Sequence, residues 1–561
     1  MTRFPAAAAI VLGLVTPACK PDRTATVTPT APALASAPTA ATAPLGTAEQ
    51  RARLFAEIWD KTARREAFSP VKNERLELDV RANMEAFAPA LLAARTEVEL
   101  FYALVKISNA RKDRHLKVRP VEGGLRVPGW EAKAEAPLRF ATDYGGSELS
   151  VFVADLDASF FAAHAELRAP RRGDRVVAID GRPLVEYVAG VEPYYPYSTR
   201  ENFWWHVSAQ LHVRSGLLPP EHFAAQVRYG LQAADGAVYE VTLPWLPPEE
   251  IRWERPQRPE YPGMRLEFAT ETYELLRPTD GRKLVLLRWL GFRRTLVADV
   301  ERLMAYAQAE RLLGHALVVD ATGSRGGSLG GYAIQRMTSR PFKTTLGNLR
   351  LSDVVVPFVA QKRAEVVAGG PSDAGVFESE DGGVRLLAWL EGSVIPALQA
   401  GRSFSEAVPF KLAHLPADSD GLLQPAPVHF SGPLVCLFGP GGGSHLDQFA
   451  ATIVDNALGH TIGMPTGGFS NTWEWSEVLT MPGTDQPLVE FMWSIGQTIR
   501  PNGEVLEGNP AQVAERVPLT AGNYEHYHGV LLERAYAYLD GLERRGRRDV
   551  LRHADHRRRD R

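Results

Sequence analysis

The apolar positions of the chain change period from region to region, and each change marks a different kind of structure. From Ala48 to about Ile107 they recur at helical spacing: first Leu54, Phe55, Ile58 and Trp59, then Leu91, Leu92, Val98, Phe101, Leu104 and Val105. This spacing predicts a small helical domain that ends in the polar turn from Asn109 to His115 and runs into a strand. From about Pro137 to Leu246 the apolar runs shorten to strand length. One of them lies between Arg172-Gly173-Asp174 and Asp180-Gly181, two turns that bound a strand. The aromatic cluster from Tyr194 to His206 either lines a peptide groove or packs a linker against its neighbours. A Pro- and Glu-rich connection covers 247–262. Strands and helices then alternate from Lys283 onward, with a strand over 285–290, a helix over 296–313 and a strand over 315–320. Such alternation predicts an α/β body. Residues 340–432 are less regular and read as an insertion, and the strand around Cys436 resumes the core.

The two ends depart from this pattern. Arg3, the apolar residues 6–15 and the small residues before Cys19 have the form of an export signal. Thr16-Pro17-Ala18-Cys19 resembles a bacterial lipoprotein cleavage box, so signal peptide 1–19 is expected to leave Cys19 as a lipidated N-terminus. Residues 20–47 are Thr, Ala and Pro with little else, too poor in apolar surface to fold, and read as a disordered tether. An Arg-rich tail, 541–561, is expected to be frayed and solvated. Between the ends we expect a helical domain over 48–120, a β module with its linker over 135–250 and an α/β core over 280–540. Composition narrows the function classes. The chain has 561 residues, 45% of them hydrophobic, which is enough for more than one core. A net charge of −3 gives no general argument for a nucleic-acid partner. Two cysteines rule out a disulfide framework.

The candidate chemistry starts at Pro433-Leu-Val-Cys-Leu-Phe-Gly-Pro-Gly-Gly-Gly-Ser444. A buried strand, a glycine-rich turn and one serine lead into a helix with the apolar stripe Leu446, Phe449, Ala450, Ile453, Val454 and Ala457. Ser444 with Asp447 three residues on has the look of a helix cap, so the serine is either a cap or a nucleophile. Gly443 stands where a phosphate-binding loop needs lysine, and Leu446 replaces the last glycine of a Gly-x-Ser-x-Gly elbow. A second stretch, Asp320-Ala-Thr-Gly-Ser-Arg-Gly326-Gly327, ends a strand in a glycine pair whose N–H groups suit a developing oxyanion, or only a turn. His526-Tyr-His528 would place two histidines on one face of a strand, with no third metal ligand evident.

Together these stretches resemble the tail-specific, or C-terminal-processing, serine peptidase family. Asp320 to Gly327 is similar to the family's Asp-Leu-Arg-x-Asn-x-Gly-Gly segment, with its Arg and Asn lost. The Ser444 segment and Gly463-Met-Pro-Thr466-Gly-Gly match its nucleophile and Gly-x-x-Thr-x-Gly segments. Arg172 to Gly181 resembles the PDZ domains of bacterial proteases. One branch uses a lysine base about 25 residues after the serine; here Phe469 stands there, and no lysine follows Lys411. The other branch includes the tricorn protease core and the retinoid-binding protein repeats, and has an Asp-x-His segment that Asp113-Arg114-His115 fits.

The resemblance implies a ClpP/crotonase-like α/β core, a PDZ-like module and a helical N-terminal domain. It implies Ser444 as nucleophile and His115 as base, with a late glutamate, Glu507 or next Glu504, to orient the histidine. Backbone N–H groups of Gly326, Gly327 and His445 would form the oxyanion site. No metal or organic cofactor is implied. The expected function is an exported serine endopeptidase acting on polypeptides, held to a membrane by its lipid and with no nucleic-acid partner. The rival is a non-catalytic peptide- or ligand-binding lipoprotein on the same scaffold.

Overall fold

The computed structural model describes residues 45–559 apart from 69–71, 73–76, 255–257, 369–379 and 410–420. The expected signal segment, Cys19 and nearly all of the tether lie outside the described residues. The first helix, Ala48–Arg65, starts on a reciprocal cap: Thr47 accepts from the Gln50 N–H while the Gln50 side chain accepts from the Thr47 N–H. It buries Leu54, Ile58, Thr62 and Arg65, one residue in each successive turn. The helix Glu97–Asn109 is capped by Thr96 and buries Leu100, Phe101, Leu104 and Ile107. The chain then makes the turn that holds His115 and enters the strand Val118–Pro120.

That short strand pairs antiparallel with Pro487–Ser494, which in turn pairs with Glu474–Thr480. A hairpin from far downstream therefore closes over the N-terminal helices. The helices, this closing hairpin and the β module share one apolar core. The β module orders its strands Leu138–Asp143, Ser150–Leu156, Arg175–Ile179, Gln226–Gln232 and Val238–Pro244, with Arg182–Pro183 hooked onto the third. Asp180 and Gly181 both take left-handed backbone (φ 49° and 78°), the twist that a two-residue hairpin turn requires. Of the aromatic cluster, Tyr194, Tyr195, Tyr197 and Phe203 are buried in the shared core, and Trp205 alone among these five reaches the surface.

The core sheet has seven strands, in the order Met264–Ala269, Tyr273–Pro278, Leu284–Trp289, Ala316–Asp320, Leu434–Phe438, His460–Gly463 and Glu515–Arg516. The first two are antiparallel additions that precede the stretch expected to form the core; the later pairs are parallel. Alternate residues of each central strand face opposite layers. Val285, Leu287, Leu317, Val319, Leu434 and Cys436 pack under the helices Leu296–Ala309, Gly330–Met337 and His445–Asp455. Leu284, Leu286, Val318, Val435 and Leu437 pack with Tyr527, Leu531 and Ala535 of the last helix. Burial on both faces explains why these strands are continuous apolar runs. The last helix spans Tyr527–Arg559, so the tail continues a helix and is not the frayed end the sequence suggested. Its first turns are anchored by apolar packing, and helix once nucleated propagates at little cost.

Candidate active site

The strands Ala316–Asp320 and Leu434–Phe438 lie side by side and parallel, so the loops that leave their C-terminal ends meet. One loop carries Gly326 and Gly327, the other Ser444. Ser444 opens the helix His445–Asp455 with φ 62° and ψ −123°, a conformation costly for any residue with a Cβ. Its side chain makes no capping bond. The reading of Ser444 with Asp447 as a cap is thereby corrected: the Asp447 carboxylate accepts from the Gly468 and Phe469 N–H groups. Burial pushes that carboxyl up to about 7. The Ser444 N–H donates to the Phe469 carbonyl at 2.6 Å, which ties the Ser444 turn to the Thr466–Phe469 loop. A strained backbone held on both sides leaves the serine hydroxyl unused by its own helix.

The hydroxyl instead meets His115. The His115 Nε2 lies 3.1 Å from Ser444 Oγ, across a sequence gap of 329 residues. The imidazole keeps 18% of its side chain exposed, so the pair is reachable from solvent. Asp113 is buried beneath it: its Oδ1 accepts from the His115 N–H at 2.8 Å and lies 3.8 Å from His115 Nδ1. Its Oδ2 accepts from Ser494 Oγ, on the closing hairpin, at 2.6 Å. Glu507 joins the same group, since Asp113, His115 and Glu507 bring their polar atoms within 4.8 Å of one another. The Glu507 Oε1 accepts from Ser198 Oγ and from Lys72 Nζ at 3.2 Å, and its Oε2 accepts from the Ser470 N–H at 2.7 Å. Glu504 lies outside this group and accepts from Asn509.

Two buried carboxyls this close do not both ionise freely. Burial, and then the charge of Asp113, push Glu507 up to about 8. Burial alone would also raise Asp113, but Lys72, His115 and the Ser494 bond outweigh it and hold it below the ordinary aspartate range. The negative charge under His115 therefore sits on Asp113. The trio has donor atoms that a metal ion accepts, yet Lys72 already places an ammonium on Glu507, and Ser444 holds the Nε2 of His115.

The backbone around Ser444 is packed to contact. A Cβ on Gly326 would come within 2.7 Å of Ser444 Cβ and 3.2 Å of His445 N, so only glycine lets this loop reach Ser444. At Gly327, with φ 151°, a Cβ would fall 1.8 Å from the Phe292 carbonyl. Gly326 and the His445 backbone are thus at the serine, while Gly327 packs on the Phe292 carbonyl. The His445 side chain turns away and its Nε2 accepts from the Gly330 N–H at 2.7 Å. Phe469, in the place where the lysine branch has its base, packs edge-on against His115 at 5.3 Å and fills the space beside Gly443.

Next to this centre, a cavity of about 440 Å³ opens between the two loops, walled by Trp205, Tyr144, Gly441, Tyr261, Asp320 and His528. Asp320 does not face Ser444: it accepts from Thr322, from Tyr261 OH and from His528 Nδ1, both of the last two at 2.8 Å. His526 is exposed and His528 is held by Asp320; the pair opens a helix, where residues two apart diverge, and not a strand as the metal reading assumed. Lys72, Ser198, Ser470 and Ser494 gave no sequence signal. Asp113 was visible only as the first letter of its motif.

No family model matches the chain, and no curated protein does. Among solved structures, mature CPAF is similar with a TM-score of 0.63 at 16% identity, covering 88% of this chain and 96% of that one. CPAF complexed with lactacystin is similar with a TM-score of 0.62 at 16% identity, covering 88% and 97%. A photosystem II D1 C-terminal processing protease matches over 84% and 93% at 14% identity, but its TM-score of 0.37 carries no weight. These neighbours are tail-specific serine peptidases. At this level of identity the likeness establishes the fold: the chain has the mixed α/β fold of mature CPAF over nearly its whole described length.

Proposed function

We propose that the chain is a tail-specific serine endopeptidase that cleaves polypeptides with Ser444 as nucleophile and His115 as general base. The observation that carries this reading is the 3.1 Å contact between His115 Nε2 and Ser444 Oγ, made by a serine whose backbone is strained and whose hydroxyl caps nothing. A serine hydroxyl is a weak nucleophile at neutral pH and needs such a base. His115 takes the Ser444 proton as Oγ attacks the peptide carbonyl carbon. The carbonyl oxygen, now an oxyanion, is held by backbone N–H groups of Gly326 or Gly327 and of His445 at the helix start. Ionised Asp113 stabilises the imidazolium, with neutral Glu507 behind it fixing the depth of the pair. His115 then gives its proton to the leaving amine, the C–N bond breaks, and water attacks the acyl-enzyme with His115 again as base. None of these steps calls for a metal or organic cofactor.

The three-layer core supports a ClpP/crotonase-like assignment, and the β module with its Asp180-Gly181 hairpin supports a PDZ-like part that presents the substrate. The signal segment and Cys19 support a lipoprotein anchored in the cell envelope; loss of palmitate incorporation in Cys19→Ser tests this. The test of the activity compares the purified protein with Ser444→Ala on an unfolded polypeptide. We expect cleavage by the first and a loss of at least about 10³-fold in the second. Labelling of Ser444 by a serine-reactive phosphonate, or by lactacystin as bound by CPAF, is a second readout. Equal cleavage by both proteins, or no cleavage together with no labelling, would return the chain to the reading of a peptide-binding lipoprotein.

A further inference from the structure

Among the described residues, the three fully buried arginines meet carboxylates, and half-buried Arg114 is the contrast. Arg65 pairs with Asp353 and Glu477, Arg111 with Glu66, and Arg500 with Asp455. Arg114, between Asp113 and His115, does not. Among the described residues it has no ion pair; its Nη1–H donates to His206 Nδ1 at 2.7 Å, and its guanidinium stacks on the Phe469 ring at 5.1 Å. Guanidinium is donor-only, so the His206 Nδ1 must carry a lone pair. Burial, and then the Arg114 charge, push the His206 imidazole down to about 3, so no second positive charge develops there. Burial likewise pulls Arg114 down to about 10, with no carboxylate to offset it. A solvent-poor cation that lacks a counter-ion costs stability wherever it has no other use.

Its place suggests the use. The Phe469 ring that carries the guanidinium also packs against His115 and lies beside Gly443, so the cation is one aromatic ring from the serine–histidine pair. Lys117, two residues past His115, is close enough to feel the charge of Arg114 and of Arg119, with Glu474 as its neighbouring carboxylate. The segment that supplies the base thus carries a cation on either side of His115 in the chain. Arginine offers a planar fork of donors matched to a carboxylate, and only part of that fork is engaged by His206.

We infer that Arg114 is a subsite for a carboxylate of the bound polypeptide, from an Asp or Glu side chain or a free chain end, a few residues from the bond at Ser444. This rests on the Ser444–His115 centre being where a polypeptide docks, but it concerns binding and does not require that the chain be cut. Phe469 sets the distance, and His206 holds the guanidinium in one orientation.

The experiment uses Gly/Ala nonapeptides carrying one Glu at each position in turn, their Gln counterparts, and both series with free and amidated C termini. Binding to the Ser444→Ala protein is read by fluorescence anisotropy, and cleavage by the unaltered protein by mass spectrometry. One Glu register, or the free over the amidated end, is expected to bind at least tenfold more tightly; the amidated series tells side chain from chain end. Arg114→Gln added to Ser444→Ala should erase the difference and Arg114→Lys should keep part of it. Equal affinity for Glu and Gln and for free and amidated ends, or no binding of any peptide, overturns the proposal, as does a preference that survives Arg114→Gln. Should Arg114→Gln not fold, the Glu-to-Gln comparison on protein with Arg114 intact decides. Arg114-dependent binding without cleavage would defeat the peptidase reading and leave this one standing.

Discussion

Among the described residues the protein holds two aspartate–histidine pairs, and the tighter one is not at the candidate active site. Asp320 and His528 meet at 2.8 Å, whereas Asp113 and His115 stand 3.8 Å apart at Nδ1. Asp320 is also bonded by Tyr261 and Thr322, so it fastens a strand end to the last helix. Burial would raise its pKa, but His528 and Thr322 outweigh that and take it down to about 2. No side-chain hydroxyl is bonded to His528 among the described residues, while His115 faces Ser444 Oγ. A short Asp–His bond therefore identifies a latch as readily as a catalytic pair. What the second ring nitrogen faces separates the two.

The largest expected effect breaks the comparison at its functional end. His115→Ala should lower the rate of peptide cleavage by about 10²–10⁴-fold with little change in melting temperature, the cost of losing a general base. His528→Ala should lower that rate less than threefold. If both lose activity alike, the latch reading is wrong.

Asp320→Asn tests the other end. Removing the charge from a buried, bonded pair should cost about 3 kcal/mol by denaturant unfolding while Ser444 still reacts with a phosphonate. Asp320 lies lower folded than its ordinary 3.8, so its contribution is present above about pH 4 and is lost as pH falls through about 2. The variant should lack that acid-side step.

Glu507 carries the opposite sign. Its folded value is raised from 4.5 to about 8, so stability is complete below about pH 4.5 and falls as pH rises through about 8. Glu507→Gln should flatten that loss between about pH 4.5 and 8 and lower activity less than Asp113→Asn does. A larger activity loss in the glutamine variant would make Glu507 the charged partner of His115. The smallest effect on stability is at Ser444. Ser444→Gly should abolish activity yet unfold about 1 kcal/mol harder than Ser444→Ala, because glycine alone accepts φ 62° without strain.

Much of this was legible in the chain. The helical spacing of Leu54 and Ile58 gave the first helix, and the apolar runs around Val318 and Cys436 gave the two strands whose ends hold the site. The Gly-Gly-Gly-Ser444 turn and the Asp113-Arg-His115 segment gave the two groups of the candidate site, through their likeness to a family. The closing hairpin was hidden, since Glu474–Ser494 reads as any hairpin and nothing in it names Val118 as its partner. Lys72 and Ser198 were hidden for the same reason: a buried ion pair has no local pattern.

The sequence by itself determined the elements, because periodicity, caps and turn residues act within a few positions of one another. It also placed Ser444 between a glycine-rich turn and an apolar helix, but left open whether the serine caps that helix. Only the tertiary structure decided what that serine faces. The pairing of Val118–Pro120 with Pro487–Ser494 brings His115 across 329 residues to Ser444. It also places Ser494 on Asp113, with Glu507 and Lys72 packed in beside it. Proton affinities in that cluster follow from burial and from the neighbours' charges, and both exist only once the chain has closed.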